Sequence, residues 1–193
     1  MDTAPPTAAA PPAAAPTVGV PVTLRKLYFV RFAFAAVWAA LLFATADTLG
    51  PLSTTLLLVY PLFDVGAAIV DVRSARANGG PVGPLYANIA ISSLTVLALA
   101  LAATSGIPAV LRVWGAWAVT AGIVQLVAGA VRRRLGGQWP MIVSGAVSTL
   151  AGISFVTRAG ADDPSLGSLA GYAFLGGVFF LASAVRLTRG RSA

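Results

Sequence analysis

The sequence contains no cysteine, no histidine and no glutamate, and these absences exclude several classes of chemistry. Without cysteine there is no disulfide and no thiol nucleophile, and without histidine there is no imidazole base or imidazole metal ligand. All six acidic residues are aspartates, and Asp2, Asp47, Asp162 and Asp163 fall in predicted tails or loops. We therefore expect no catalytic residues, no cofactor, no metal site and no enzyme activity.

Charged residues are also scarce, at 10% of the chain, whereas 58% of the residues are hydrophobic and the mean hydropathy is +0.85. A small soluble core has no room for this apolar excess, so the composition indicates an integral membrane protein. The formal net charge of +7 comes from short basic clusters beside long apolar runs. That pattern is typical of a membrane topology signal rather than a nucleic-acid surface, so we expect a lipid bilayer and no nucleic acid as partner.

Six apolar stretches are each long enough to cross a hydrocarbon core of about 30 Å. They cover residues 24–46, 51–71, 85–104, 107–131, 138–157 and 165–187. The sequence thus predicts an all-α integral membrane protein with a six-helix transmembrane domain over residues 24–188. A proline- and alanine-rich segment precedes it, so residues 1–23 are predicted to be a disordered cytosolic tail. Residues 189–193 are predicted to be a basic cytosolic tail.

The basic residues predict the orientation, because lysine and arginine near helix ends are retained on the cytosolic side. Arg158 alone falls on the other side of the predicted helices, and both termini are therefore expected in the cytosol. The residues on the cytosolic side are Arg25, Lys26, Arg73, Arg76, Arg132, Arg133, Arg134, Arg186, Arg189 and Arg191. We expect the Arg132 to Arg134 triplet to fix this topology, with binding of anionic lipid headgroups as a further role.

An alternative concerns the first helix, because Ala44-Thr45-Ala46 before Asp47 has the small-x-small form of a signal-peptidase site. Cleavage there would leave five helices in unchanged orientations. The apolar run is long for a signal core and the tail ahead of Arg25 is extended, and both features argue against cleavage.

The even-numbered helices share a pattern in which a glycine is followed ten positions later by an arginine. The pairs are Gly66 and Arg76, Gly122 and Arg132, and Gly176 and Arg186. The odd-numbered helices begin near Tyr28, Tyr86 and Trp139, at the boundary where amphipathic rings prefer to lie. The period is one helical hairpin, so the sequence predicts a bundle of three helical hairpins. The alternative is that glycine is common in such helices and that arginine ends every inward one.

A family resemblance rests on two segments. One runs from Gly136-Gly137-Gln138-Trp139-Pro140 through Ser144-Gly145, Ser148 and Gly152, and the other from Trp114-Gly115-Ala116-Trp117 to Gly122-Ile123. Over roughly residues 107–188 the chain resembles the HdeD family of short-repeat membrane proteins. The resemblance implies a six-helix protein of the bacterial inner membrane, associated with acid resistance or envelope stress. It brings no catalytic residues to carry over.

Small residues recur at every fourth position in three helices. The stripes are Ala36, Ala40 and Ala44; Ser144, Ser148 and Gly152; and Gly167 with Gly171. Stripes of this kind let helix backbones approach closely in a membrane. Packing within one chain is the first interpretation, and a homo-oligomer interface is the alternative.

Asp64 is the most informative residue, because it lies well inside the second predicted helix, where a carboxylate must pair or take a proton. The candidate polar site consists of Asp64, Arg31, Asn88 and Gln125. One interpretation is structural, with Asp64 paired to Arg31 or bonded in protonated form to Asn88 or Gln125. The other is a proton-sensing or ion-pathway carboxylate.

Two functions follow from these interpretations. The first is a non-enzymatic membrane protein that resembles the HdeD family and acts in acid or envelope stress. The second is a small transporter or channel whose path passes Asp64, and Pro61 predicts a kink one turn before it.

Overall fold

The computed structural model describes residues 22–77, 79–131 and 139–189, and these residues form helices and short connections with no β-strand among them. The six helices are α1 (Val22–Phe43), α2 (Pro51–Ala77), α3 (Gly83–Ala102), α4 (Ile107–Val131), α5 (Trp139–Arg158) and α6 (Gly167–Arg189). A single 3-10 turn, Ala103–Ser105, joins α3 to α4. The predicted tail up to residue 21 and residues 190–193 lie outside the described residues.

Most helix ends lie within two residues of the predicted ranges, and two differ by more, for local reasons. The first helix ends at Phe43 rather than residue 46, and a turn follows in which the Ser53 hydroxyl accepts from the Gly50 amide at 2.9 Å and donates to the Thr48 carbonyl at 2.9 Å. The second helix continues to Ala77 rather than ending at residue 71. Its last two turns carry Arg73 and Arg76, so the basic residues belong to the helix itself.

Five of the helices are long and apolar enough to cross a membrane: α1, α2, α3, α4 and α6. Within α5 the described apolar stretch is shorter and covers Ile142–Arg158. Large apolar side chains such as Leu94, Leu97, Leu101 and Leu150 point away from the bundle and are more than half exposed. Length, composition and these outward-facing side chains are those of a helical membrane protein.

The helices form a ring in which each helix contacts its neighbours along the chain and α1 contacts α6. The most extensive contacts join α4 to α5, then α1 to α6, then α2 to α3. The hairpins predicted from the sequence, α1 with α2, α3 with α4 and α5 with α6, pack less extensively.

Glycines explain why α4 and α5 pack so closely. A Cβ atom at Gly122 would lie 2.7 Å from the Gly145 carbonyl oxygen, and one at Gly152 would lie 2.6 Å from the Gly115 carbonyl oxygen. Each helix therefore carries two glycines, two turns apart, that face the partner backbone with no room for a side chain. Close backbone approach of this kind replaces the hydrophobic drive that helices lack in lipid.

The other small-residue positions have different surroundings. Ala40 on α1 and Ala44 in the turn just after it are exposed, so most of that stripe does not pack within the chain. No described atom outside their own turns lies within 4 Å of a Cβ built at Gly66 or Gly176, in contrast to Gly122. The three glycines of the predicted repeat therefore do not share one packing role.

The two ends of the bundle differ in composition. At the end where α1, α3 and α5 begin lie Arg25, Lys26, Arg73 and Arg76, and we call it the basic end. The half nearer the opposite end holds the buried core, including Trp38, Leu42, Leu111, Trp114 and Leu166. There the Leu166 amide donates to the Ala46 carbonyl at 2.9 Å, which ties the start of α6 to the end of α1.

Candidate functional site: a polar cavity in the basic half of the bundle

Asp64 accepts two hydrogen bonds from α3. Its Oδ2 atom accepts from Asn88 Nδ2 at 2.7 Å and from Ser92 Oγ at 2.9 Å. Asn88 and Ser92 are one turn apart, so they face α2 from the same side of α3. The other carboxylate oxygen of Asp64, Oδ1, lies 3.9 Å from the Arg31 guanidinium, at the outer limit of an ion pair.

Arg31 lies closer to a second carboxylate that the sequence interpretation did not use. Its Nη2 atom donates to Asp71 Oδ2 at 3.4 Å. Asp71 is two turns beyond Asp64 on the same face of α2, about 10 Å nearer the basic end. Side chains on a helix tilt toward its N-terminus, so Arg31 on α1 leans toward the basic end and therefore toward Asp71.

The spacing of seven residues between Asp64 and Asp71 was a signal available in the sequence. Residues at this spacing share a helix face, and both carboxylates then face the same neighbour. The predicted second helix ended at residue 71, which placed Asp71 at a boundary rather than inside. The continuation of α2 to Ala77 makes it an interior residue.

The three charged side chains are mostly but not fully buried, with 12% of Arg31, 22% of Asp64 and 16% of Asp71 exposed. Their hydrogen-bonding capacity is only partly used. Within the described part of the chain, neither Arg31 Nε nor Asp71 Oδ1 has a hydrogen-bond partner, although both atoms are shielded from solvent. The Arg31 guanidinium also lies over the Phe180 ring, 4.9 Å from its centroid.

These side chains line a cavity of about 610 Å³ at the centre of the ring of helices. The four residues of the predicted polar site are all on its wall, with Gln125 contributed by α4. Further polar groups come from Ser144, Ser148 and Ser183. The wall reaches Tyr28 and Pro84, close to the basic end, so the cavity occupies the half of the bundle that the buried core leaves open.

Aromatic residues close the cavity toward the opposite end. Tyr60 and Trp117 line it, and both rings contact Trp114, at centroid distances of 5.6 Å and 5.3 Å. Trp114 in turn stacks on Trp38 at 5.5 Å. From the side of α6, Tyr172 donates to Ser148 Oγ at 2.9 Å. This layer separates the polar cavity from the opposite end of the bundle.

Other predicted features lie elsewhere or outside the described residues. Arg132, Arg133 and Arg134 fall between the described ranges of α4 and α5, so their expected contact with headgroups stays a prediction. Pro61 is buried inside α2, which continues past it without interruption. No group of three or more aspartates that could hold a metal ion occurs in residues 22–77, 79–131 and 139–189.

The chain matches no family model, no curated protein and no solved structure. The fold and the cavity therefore define the class of protein by themselves. Its described residues form an all-helical bundle, several of whose helices are long and apolar enough to cross a membrane, with charged residues around a central cavity. The resemblance to the HdeD family stays a prediction from the sequence.

Proposed function

We propose that this protein is a non-enzymatic, six-span protein of the bacterial inner membrane that binds and moves a small solute through its central cavity. Both termini lie in the cytosol in this proposal, and the cavity opens to the cytosol at the basic end. The observation that carries it is the location of Arg31, Asp64 and Asp71 on the wall of one cavity of ligand-binding size. Ligand pockets have volumes of roughly 300 to 1,000 Å³.

The distribution of charge supports the orientation. Arg25, Lys26, Arg73 and Arg76 lie at the basic end, which the positive-inside rule assigns to the cytosol. The opposite end carries three aspartates and two arginines, Asp47, Asp162, Asp163, Arg158 and Arg112, so it lacks the excess of basic residues. The sixth span is α5, whose 20 residues extend about 30 Å and pack against α4 through Gly145 and Gly152.

The energetics of the cavity support a role beyond structure. A charged group inside a membrane bundle is costly, and such residues usually mark solute or proton pathways. A purely structural ion pair would satisfy its polar atoms, whereas Asp71 Oδ1 and Arg31 Nε have no hydrogen-bond partner in the described residues. A solute that enters the cavity would supply the missing contacts.

The packing of the ring supports movement. Three helix pairs are closely packed, α4 with α5, α1 with α6 and α2 with α3, whereas the contacts between pairs are less extensive and least so between α5 and α6. Tightly packed pairs move as units, and weaker contacts between them let the cavity change the side to which it opens. The aromatic layer around Trp114 would be the part that separates in the outward-open state.

The absence of native cysteine makes cysteine accessibility the direct test. Ser144→Cys places a single thiol on the cavity wall, and we expect a membrane-impermeant maleimide to label it from the cytosolic side in inside-out vesicles but not from the outside of intact cells. Leu97→Cys, which faces lipid, should resist the reagent from both sides. Asp162→Cys, in the opposite loop, should react only from outside. Labelling of Ser144→Cys from outside alone would contradict the proposal.

The resemblance to the HdeD family supports a second proposal, a role in acid or envelope stress. Gly115, Gly122, Gly145 and Gly152, all within the segments that carry the resemblance, are the residues that pack α4 against α5. A deletion strain should survive acid less well than its parent, and wild-type protein should rescue it. Complementation by Asp64→Asn at equal membrane levels tests whether the cavity is involved, and an unaffected deletion strain would end this proposal.

A further inference from the structure

The cavity has one more negative charge than positive. Asp64 and Asp71 contribute two carboxylates and Arg31 contributes one guanidinium, and no other charged residue is on the part of the wall that the structure describes. The formal charge with all three groups ionised is therefore −1. A cavity of this charge in a medium of low dielectric constant favours a monovalent cation and disfavours an anion.

The two carboxylates are not equivalent. Asp64 Oδ2 already accepts from Asn88 and Ser92. Asp71 has one contact with Arg31 at 3.4 Å, longer than the roughly 2.7–2.9 Å of a good charge-assisted hydrogen bond. Its Oδ1 atom has no partner in residues 22–77, 79–131 and 139–189. Asp71 is therefore the carboxylate with capacity to accept a further donor or balance a further charge.

The wall of the cavity is rich in aromatic rings. They are Tyr28, Tyr60, Trp117, Tyr172, Phe179 and Phe180. The face of an aromatic ring attracts a cation, and the attraction is stronger where water is excluded. Arg31 already uses this interaction, since its guanidinium lies 4.9 Å from the centroid of Phe180. The guanidinium of Arg31 thus occupies part of a cation site made of carboxylates and aromatic rings.

We infer that the cavity binds a small organic cation of the ammonium or guanidinium class, with Asp71 as its counter-ion and the aromatic rings around its carbon skeleton. This inference rests on the proposed function and adds the class of solute. A bare inorganic cation fits less well, because it requires several converging oxygen ligands within a small shell, and a cavity of about 610 Å³ is much larger than such a shell.

The test measures binding to the full-length protein in detergent micelles by isothermal titration calorimetry. The probe is benzyltrimethylammonium, and phenylmethanesulfonate, which has a similar size and the opposite charge, is the matched anion. We expect saturable binding of the cation and no binding of the anion. Asp71→Asn should weaken cation binding at least about tenfold, because a desolvated charge pair is lost. Asp47→Asn, in the loop at the opposite end, should bind as the wild type does.

Arg31→Gln provides an independent variant, for which we expect the affinity for the cation to rise rather than fall. Removal of the internal cation frees both carboxylates and leaves the cavity more negative, so benzyltrimethylammonium should bind several-fold more tightly than to the wild type. This variant decides the question if Asp71→Asn fails to fold. Equal binding of cation and anion, equal affinity in Asp71→Asn and Asp47→Asn, or weaker binding in Arg31→Gln would each overturn the inference.

The labelling experiment separates this inference from the proposed function. If Ser144→Cys reacts from the cytosolic side but the wild type does not bind the cation, the cavity is open and its proposed solute class is wrong. If Ser144→Cys reacts only from outside, the proposed function itself fails. Reaction of Ser144→Cys with a bulky maleimide should also abolish cation binding, and unchanged binding after complete labelling would place the cation outside the cavity and overturn the inference.

Discussion

The guanidinium of Arg31 bridges two carboxylates on α2, at 3.4 Å from Asp71 and 3.9 Å from Asp64. Neither distance is that of a short ion pair, so one cation is shared between two acceptors and satisfies neither completely. Asp64 is held mainly by Asn88 and Ser92. The arrangement therefore differs from a structural ion pair in which both partners are fully satisfied. Its stability depends on the presence of Arg31, Asp64 and Asp71 together.

Replacement of Arg31 by glutamine should destabilise the protein, because it leaves two carboxylates without a cation. Loss of one partner from a fully buried ion pair costs roughly 3–5 kcal/mol, and we expect a smaller loss here because both contacts are long and the side chains are partly exposed. We expect a lower midpoint of thermal unfolding in detergent, followed by intrinsic fluorescence. Arg158→Gln is the matched control, since its side chain is exposed and contacts Ser154 on the surface. Benzyltrimethylammonium should restore part of the midpoint in Arg31→Gln, because a ligand stabilises the folded state that binds it.

Replacement of Asp64 by asparagine should abolish transport. The substitution keeps the size of the side chain and removes one of the two negative charges, so the ionised cavity becomes neutral and loses its attraction for a cation. The measurement is uptake of radiolabelled benzyltrimethylammonium into proteoliposomes with an imposed negative-inside potential. Wild type and Asp47→Asn should accumulate the label and Asp64→Asn should match empty liposomes. Uptake by Asp64→Asn at the wild-type rate would show that this carboxylate is not on the path.

The three glycines of the predicted repeat should respond differently to alanine. A Cβ at Gly122 would lie 2.7 Å from the Gly145 carbonyl oxygen, so Gly122→Ala forces α4 and α5 apart at a cost of about 1–3 kcal/mol. Gly66→Ala and Gly176→Ala place the methyl group in open space, and their unfolding midpoints should equal or exceed that of the wild type. Equal loss in all three variants would indicate a shared packing role and contradict the structure.

Two buried tryptophans provide a matched test of a single hydrogen bond. Trp38 Nε1 donates to the Leu56 carbonyl at 2.6 Å, whereas Trp114 Nε1 has no hydrogen-bond partner in the described part of the chain. Both side chains are almost completely buried. Substitution by phenylalanine removes similar volume at both positions, so Trp38→Phe should be less stable than Trp114→Phe by about 0.5–1.5 kcal/mol. Chemical unfolding in mixed micelles measures the difference, and a larger loss in Trp114→Phe would contradict it.

The sequence predicts two parts of this structure well, the long apolar helices and the cavity formed by the few polar residues within them. The six helices follow from apolar runs, because chain segments in lipid must satisfy their backbone internally. Arg31, Asp64, Asn88 and Gln125 line one cavity because polar residues in apolar helices turn away from lipid. The predicted site does not include Asp71, because the predicted helix ends at that residue, although its spacing from Asp64 indicates a shared face.

The sequence did not predict which helices pack most closely against each other. Short loops make neighbours along the chain adjacent, but they do not decide which neighbours pack most closely. That depends on glycines that face each other across two helices, as Gly122 and Gly145 do, and on the contact between α1 and α6, which no loop specifies. In lipid no hydrophobic drive separates these alternatives, so the fit of the two surfaces decides.

The contact between α1 and α6 brings the first and last described helices together as antiparallel neighbours, so Val22 and Arg189 lie at the same end of the ring. The order of the helices along the chain is therefore not required by their packing. A flexible linker between these two ends and a new start within the turn Ala103–Ser105 would give a circularly permuted protein with the same six neighbours around the same cavity. The permuted chain would begin with α4 and end with α3, and the packing of the ring would not depend on which helix comes first.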